Sequence, residues 1–205
     1  MTASEIYEKH IRQNPVQTLT KPRDESLALM QQWVASDALR KHMLAVEVAM
    51  VAYASKFGED TGLWGATGLL HDFDYEKNPT TETHVFAGIP VLADAGYPAQ
   101  MLDAIMGHAG YLGIPRETKL AKTLFAVDEL CGLLTAVAYV RPTKSLEGIE
   151  FSSIGKKLKD KAFARNVSRE DIRKGAEELG VELQEHVMFV ARSLESRLAL
   201  SRPSD

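Results

Sequence analysis

The stretch Gly68-Leu69-Leu70-His71-Asp72-Phe73-Asp74 decides how this chain is interpreted. An apolar helical run ends in a histidine and an aspartate side by side. These two side chains offer an imidazole and a carboxylate, which are ligands that divalent transition metals accept. A dipeptide alone is only a hypothesis, so the rest of the chain has to supply further ligands in a fitting context.

Helical patterns extend in both directions from this stretch, and no segment alternates with period two for long enough to predict a strand. Asp24 and Asp37 are predicted to cap the two helices before it, and Pro142 to end the longest helix after it. The sequence therefore predicts an all-α fold. The predicted helices cover about residues 24–35, 37–57, 61–72, 82–95, 98–108, 117–140, 169–179 and 182–199.

We predict one domain, or one domain with an appendage. Residues 1–23 form an N-terminal arm, residues 24–140 form a metal-binding helical core, and residues 141–205 form a basic segment and C-terminal helices that pack on the same domain. The chain has 205 residues, of which 45% are hydrophobic and 25% are charged. These values are typical of a soluble globular protein.

Charge and cysteine content exclude several classes of protein. The net charge of -4 gives no basis for general nucleic-acid binding. The single cysteine, Cys131, excludes an internal disulfide and a cysteine-based zinc site. The first residues are polar, and no uninterrupted apolar run reaches the roughly 18–20 residues of a membrane span. We therefore expect a cytoplasmic protein without a membrane partner.

Four residues outside the central stretch have side chains that can bind metals, and each lies on an apolar helix face or at a helix start. His42 and His108 each share an apolar helix face, and His84 opens the predicted helix 82–95. Asp128 lies within the apolar helix 117–140, where a buried carboxylate without a partner costs several kcal/mol. A lone inward histidine is more often a hydrogen-bonded core residue than a ligand. The set as a whole is typical of metal sites in helical bundles.

The spacing of these residues resembles the H…HD…D signature of the HD superfamily of metal-dependent phosphohydrolases. Matching text includes GLLHDFDYEKNP, THVFAGIPVLADAGYP, AIMGHAG and LAKTLFAVDELCGLL, and the segment after Val140 is similar to a subgroup of uncharacterised predicted HD-superfamily hydrolases. The resemblance spans about residues 24–200 and implies the HD-domain/phosphodiesterase-like helical bundle. It implies that Asp72 bridges two metals, with the full ligand set being His42, His71, Asp72, His84, His108 and Asp128.

The implied function is hydrolysis of a phosphate ester of a nucleotide or small phosphorylated metabolite by a metal-activated water. Asp72 is predicted to orient the nucleophile, and Asp74 and Glu76 are candidates for the acid, although both are most simply solvated loop carboxylates. Where many two-metal relatives have Ile-Gly-Lys after the His-Asp pair, this chain has Phe-Asp-Tyr, and the nearest lysine is Lys77. Segment 141–165 carries 7 Lys/Arg against 3 acids. We predict that Lys157 and Lys161, on what is most simply a solvated helical face, attract the anionic substrate.

Several alternatives stay open at this point. A di-iron oxygenase of HD fold would use the same ligand types, and a non-catalytic module would sense a nucleotide without hydrolysing it. The ligands suit one or two divalent ions of iron, manganese, cobalt, nickel, zinc or magnesium, and the sequence does not choose among them. It also leaves open whether the chain forms a homo-oligomer.

Overall fold

The computed structural model describes residues 2–198 of the chain and contains no strand within them, which confirms the all-α prediction. The predicted end of the last helix at Ala199 lies outside the described residues. In chain order the helices are α1 (Ala3–Ile6), a π-helical turn (Tyr7–Arg12), α2 (Arg23–Trp33), α3 (Asp37–Phe57), α4 (Thr61–Leu70), α5 (Gly88–Asp94), α6 (Ala99–His108), a 3₁₀ turn (Gly110–Leu112), α7 (Lys119–Val140), α8 (Phe151–Lys159), α9 (Arg169–Leu179) and α10 (Leu183–Leu198).

The helix ends follow capping chemistry, although two predicted caps are wrong. Asp24 and Asp37 lie in the first turns of α2 and α3, and the residues that precede these helices are Pro22 and Ser36. The Ser36 hydroxyl accepts a hydrogen bond from the Leu39 amide, so α3 has a side-chain cap one residue earlier than predicted. α3 ends at Gly58, whose φ of 71° is the left-handed conformation that glycine adopts most readily.

The helix predicted over residues 82–95 begins only at Gly88, where α5 starts. The preceding residues form hydrogen-bonded turns, in which the amides of His84 and Ala87 donate to the carbonyl oxygens of Thr80 and Thr83. The connection between α4 and α5 is therefore a structured loop. It carries Asp72, Asp74 and His84, and its conformation determines where these side chains lie.

The chain divides into two compact units, residues 1–125 and 126–205, so the division falls inside α7. In the first unit α3 packs against α4, α2 packs against α4, and α5 packs against α6. The N-terminal segment, predicted as an arm, belongs to this unit, since Ile6 and Ile11 are buried. The largest fully buried side chains of the unit form its core, and they are Met30, Met43, Met50, Tyr53, Leu69, Leu70, Phe73, Ile89, Leu92, Tyr97, Met101 and Leu102.

The second unit consists of the rest of α7 followed by α8, α9 and α10, with α10 in contact with both α8 and α9. α8 lies in the segment described above only as basic. It buries Ile154 and Leu158, while Lys156 and Lys159 are exposed and Lys157 is partly buried. Ser168 caps α9 by accepting a hydrogen bond from the Asp171 amide, which confirms that predicted helix start.

α7 is the one helix among residues 2–198 that is long and apolar enough to span a membrane by length and composition. It has 22 residues with a mean hydropathy of 1.6 over its most apolar window, although charged residues interrupt its apolar run. Most of that window, 61%, is buried inside the protein. A buried core helix of a soluble protein has the same composition, so α7 is compatible with a soluble chain.

Candidate metal centre

α3 and α4 bring the first two predicted ligands together at a close helix crossing. A β-carbon at Gly68 would lie 2.9–3.0 Å from backbone atoms of Glu47, so the absence of a side chain at position 68 permits this approach. His71 follows α4 directly and is fully buried. Its Nε2 atom lies 3.3 Å from Nε2 of His42 on α3.

Asp72 lies at the centre of the cluster, and its two carboxylate oxygens face different imidazole pairs. Oδ2 lies 3.4 Å from Nε2 of His71 and 4.0 Å from Nε2 of His42. Oδ1 lies 3.2 Å from Nε2 of His84 and 3.3 Å from Nε2 of His108. The structure therefore places four predicted histidine ligands around the Asp72 carboxylate, two nearer to each of its oxygens.

The remote ring nitrogens of three histidines are fixed by hydrogen bonds. Nδ1 of His71 donates to the carbonyl oxygen of Gly68 at 2.8 Å, and Nδ1 of His108 donates to that of Ile105 at 2.6 Å. Nδ1 of His84 donates to the carboxylate of Asp74 at 3.0 Å. These Nδ1 contacts leave Nε2 of each ring beside Asp72, where a protonated Nε2 donates to the carboxylate. A neutral imidazole with its proton on Nδ1 has its lone pair on Nε2, which is the form that would bind a metal ion.

The spacing of these donor atoms fits divalent metal ions. A metal–nitrogen distance of about 2.1 Å and ligand angles of about 90–109° place neighbouring donor atoms about 3.0–3.4 Å apart. The Nε2–Nε2 distance of 3.3 Å between His42 and His71 lies in this range, as do the distances from Oδ1 of Asp72 to His84 and His108. Donor atoms of His71, Asp72 and His108 also lie within 4.8 Å of one another. His71, Asp72 and His108 therefore form a group that could hold a metal ion.

The electrostatics of the cluster favour an ionised Asp72. Burial would raise the pKa of its carboxyl group, but the neighbouring His71 charge and hydrogen bonds from His108, His71 and His84 hold this pKa well below its usual value. Burial would likewise lower the pKa of His84, and its hydrogen bonds to Asp72 and Asp74 outweigh burial and raise the pKa to about 9. Asp72 therefore presents a negative charge to any bound cation.

The cluster is buried on most sides and reaches solvent at two of its members. His71, His84 and His108 are buried, whereas the side chains of His42 and Asp72 keep 22% and 16% exposure. Two tyrosines that the sequence analysis did not single out lie beside His84. The Tyr75 ring meets the imidazole edge-on at a centroid distance of 5.1 Å, and the Tyr111 hydroxyl donates to the His84 carbonyl oxygen at 3.0 Å.

Both tyrosines are half-exposed, at 43% for Tyr75 and 50% for Tyr111. Burial, with the nearby Asp74 and Asp72 carboxylates, raises the pKa of Tyr111 to about 12, so its hydroxyl stays protonated at neutral pH. Tyrosine is not among the metal-ligand residue types considered above, and the position of both tyrosines beside His84 depends on the loop conformation. The sequence pattern therefore gave no reason to place them at the site.

The two carboxylates predicted as acids have other contacts. Asp74, which resembles a solvated loop residue in the sequence, is 1% exposed and its side chain contacts His84. Glu76 is exposed, and its Oε2 atom accepts hydrogen bonds from the backbone amides of Ala35 and Ser36, each at 2.9 Å. Asp74 thus contacts the Nδ1 side of the His84 ring, and Glu76 holds the backbone of the residues that precede α3.

Lys77 and Lys157, two of the predicted substrate lysines, each lie beside an aromatic ring. The Lys77 ammonium group lies 4.3 Å from the centre of the Trp33 ring. Lys157, whose ammonium group lies 4.5 Å from the centre of the Phe163 ring, belongs to the second unit, as does the exposed Lys161. Asp128 is half-buried in the same unit, and its role as a ligand stays a prediction.

Comparison of the chain with known proteins identifies no relative. No family model, curated protein or solved structure matches the chain. The resemblance based on sequence motifs accordingly stays a prediction, and the cluster is characterised by its own donor atoms and their distances.

Proposed function

We propose that this protein is a metal-dependent phosphohydrolase that cleaves a phosphate ester of a nucleotide or another small phosphorylated metabolite. One observation carries the proposal: the two oxygens of Asp72 face two separate histidine pairs, at 3.2–3.4 Å for the nearest nitrogens. A carboxylate flanked in this way supports a pair of adjacent metal ions. The motif resemblance to the HD superfamily agrees with this arrangement, and it extends the proposed ligand set to Asp128.

The residues of the chain hold this site in a form that needs little rearrangement. When bound, divalent ions activate a water molecule and neutralise negative charge on a phosphate group. Asp72 is ionised and fixed by its neighbours, so it can also orient a water molecule through a hydrogen bond. The Nδ1 contacts of His71 and His108 to backbone carbonyl oxygens fix the ring orientation and keep Nε2, the nitrogen that would bind a metal ion, beside Asp72.

A substrate can approach through the solvent-accessible edge of the cluster at His42 and Asp72. Tyr75 and Tyr111 beside His84 provide partly exposed rings at a second edge. Such a surface suits a small ester whose phosphate group reaches Asp72 while its organic part remains near the tyrosines. The phosphate group would reach the site at Asp72, whose side chain is 16% exposed.

The first experiment is elemental analysis of protein purified without chelators or a metal-affinity tag, followed by a phosphate-ester screen with the metal found. We expect about two metal ions per chain, and release of inorganic phosphate from at least one ester. Asp72→Ala should lose most of the metal and all of the activity, since Asp72 faces both histidine pairs. His10→Ala is the matched control, because His10 is a buried histidine on the N-terminal π-helical turn.

Three results would overturn the proposal. Absence of metal after reconstitution with manganese or iron would leave a helical binding domain. Oxygen consumption with iron, without phosphate release under any condition, would indicate an oxygenase. A nucleotide that co-purifies and survives incubation with metal would indicate a sensing module.

A further inference from the structure

The three fixed histidines differ in the charge of the group that accepts their Nδ1 hydrogen. His71 and His108 donate to neutral backbone carbonyl oxygens of residues three positions earlier. His84 donates to a carboxylate, that of Asp74. The two sides of Asp72 therefore differ chemically. Of these three histidines, only His84 has a carboxylate, that of Asp74, at its Nδ1 atom, so a second negative charge lies on the His84–His108 side.

The placement of Asp74 is built into the fold around it. Its side chain is buried, its Oδ1 atom contacts His84 at 3.0 Å, and its Oδ2 atom has no hydrogen-bond partner among the described residues. A β-carbon at Gly88 would lie 2.8 Å from the Phe73 ring and 3.0 Å from Cγ of Asp74, so glycine makes room for the carboxylate. A buried carboxylate with one partner is costly to fold. The burial of Asp74 against His84 points to a role through that partner.

We propose that Asp74 is a positioning residue that acts through His84 to strengthen metal binding on the His84–His108 side of Asp72. A carboxylate that accepts the Nδ1 hydrogen of a ligating histidine fixes the tautomer and increases the electron-donating strength of Nε2. The consequence is a ranked pair of sites, in which Asp74 strengthens one site and leaves the other unaffected. This inference rests on the metal-binding part of the proposed function and is independent of phosphate hydrolysis.

The test is a titration of the metal-free full-length protein with Co²⁺, followed by visible absorption and by competition with a chelator. Asp74→Asn keeps the size of the side chain and removes its charge. We expect this variant to weaken one of two Co²⁺ equivalents by about 10–100-fold and to leave the other unchanged. Glu76→Gln is the matched control, because it removes a negative charge from the same loop at a side chain that contacts backbone amides. Its titration should match that of the unmodified protein.

A double-variant comparison separates positioning from general structural support. If Asp74 acts through His84, then His84→Ala and the His84→Ala/Asp74→Asn double variant should give the same Co²⁺ titration. A further loss in the double variant, equal weakening of both equivalents, an unchanged titration of Asp74→Asn, or failure of that variant to fold would each overturn the proposal. Because no substrate takes part, two ranked Co²⁺ sites with no phosphatase activity would sink the proposed function and leave this inference standing.

Discussion

A β-carbon at Gly68 would lie 2.9 Å from the backbone nitrogen of Glu47, so α3 and α4 meet at a point where only glycine fits. Three residues after Gly68 the chain reaches His71, whose Nε2 atom lies 3.3 Å from that of His42. The close contact between Gly68 and Glu47 and the histidine pair His42–His71 therefore both lie where α3 crosses α4. A change in the helix spacing at Gly68 changes the spacing of the two imidazoles.

Gly68→Ala should destabilise the protein although alanine favours helix more than glycine does. The intrinsic gain is about 1 kcal/mol, and the clash with the Glu47 backbone should outweigh it and leave a net loss of about 1–2 kcal/mol. Gly155→Ala in α8 is the control, because its new β-carbon would meet nothing closer than 3.7 Å. Urea denaturation of both variants measures the difference. Equal stabilisation of the two would show that the crossing can adjust.

Single histidine replacements should separate the two halves of the cluster. His42→Ala and His108→Ala should each lower the metal content by about one ion per chain, because they belong to different pairs around Asp72. His186→Ala is a useful control, since its Nε2 donates to the Ala126 carbonyl oxygen in the second unit. Elemental analysis after gel filtration gives the result. Loss of both ions in either ligand variant would argue against two distinguishable halves.

Metal should stabilise the folded chain measurably. A ligand at 100 times its Kd adds about 2.7 kcal/mol to the free energy of unfolding, so manganese or zinc should raise Tm by several degrees and chelation should reverse the shift. Asp72→Asn should show a much smaller shift. Differential scanning calorimetry with and without metal tests this prediction. A shift that persists in Asp72→Asn would place the stabilising ion elsewhere.

Arg23 and Glu47 form an ion pair that supports α3 near the cluster. Two guanidinium nitrogens of Arg23 contact the two carboxylate oxygens of Glu47, whose side chain is 4% exposed. Arg23→Ala should cost about 1–3 kcal/mol, because a buried carboxylate loses its partner while the solvent near Arg23 limits the loss. Arg23→Ala/Glu47→Leu should recover part of that stability. Denaturation curves of the two variants provide the comparison, and a double variant less stable than the single one would contradict it.

The fold class and part of the candidate ligand cluster could be predicted because they depend on local patterns. The glycines that end α3 and α9 and the apolar residues of α4 are visible within a few positions, and His71 and Asp72 are adjacent in sequence. Helix starts were less accurate. Asp24 has good capping chemistry, yet α2 begins one residue earlier, after Pro22, whose extended backbone already suits a helix entry.

The roles of Asp74 and Glu76 could not be predicted because their partners are distant in sequence. Asp74 is buried only because Gly88, fourteen positions later, leaves space for it. Glu76 binds amides about forty positions earlier, at Ala35 and Ser36. A loop carboxylate in a single sequence gives no sign of either contact.

The Nδ1 acceptors of the three histidines differ in whether an amino-acid substitution can remove them. The acceptors for His71 and His108 are main-chain oxygens of Gly68 and Ile105, which every amino acid provides. No substitution at those two positions deletes the acceptor atom itself. The acceptor for His84 is a side chain, so a single codon change at Asp74 removes it. Among the three acceptors that fix these histidines, only Asp74 can therefore be lost by a single substitution. Such a substitution would alter the His84–His108 side of the candidate site and leave the acceptors of His71 and His108 in place.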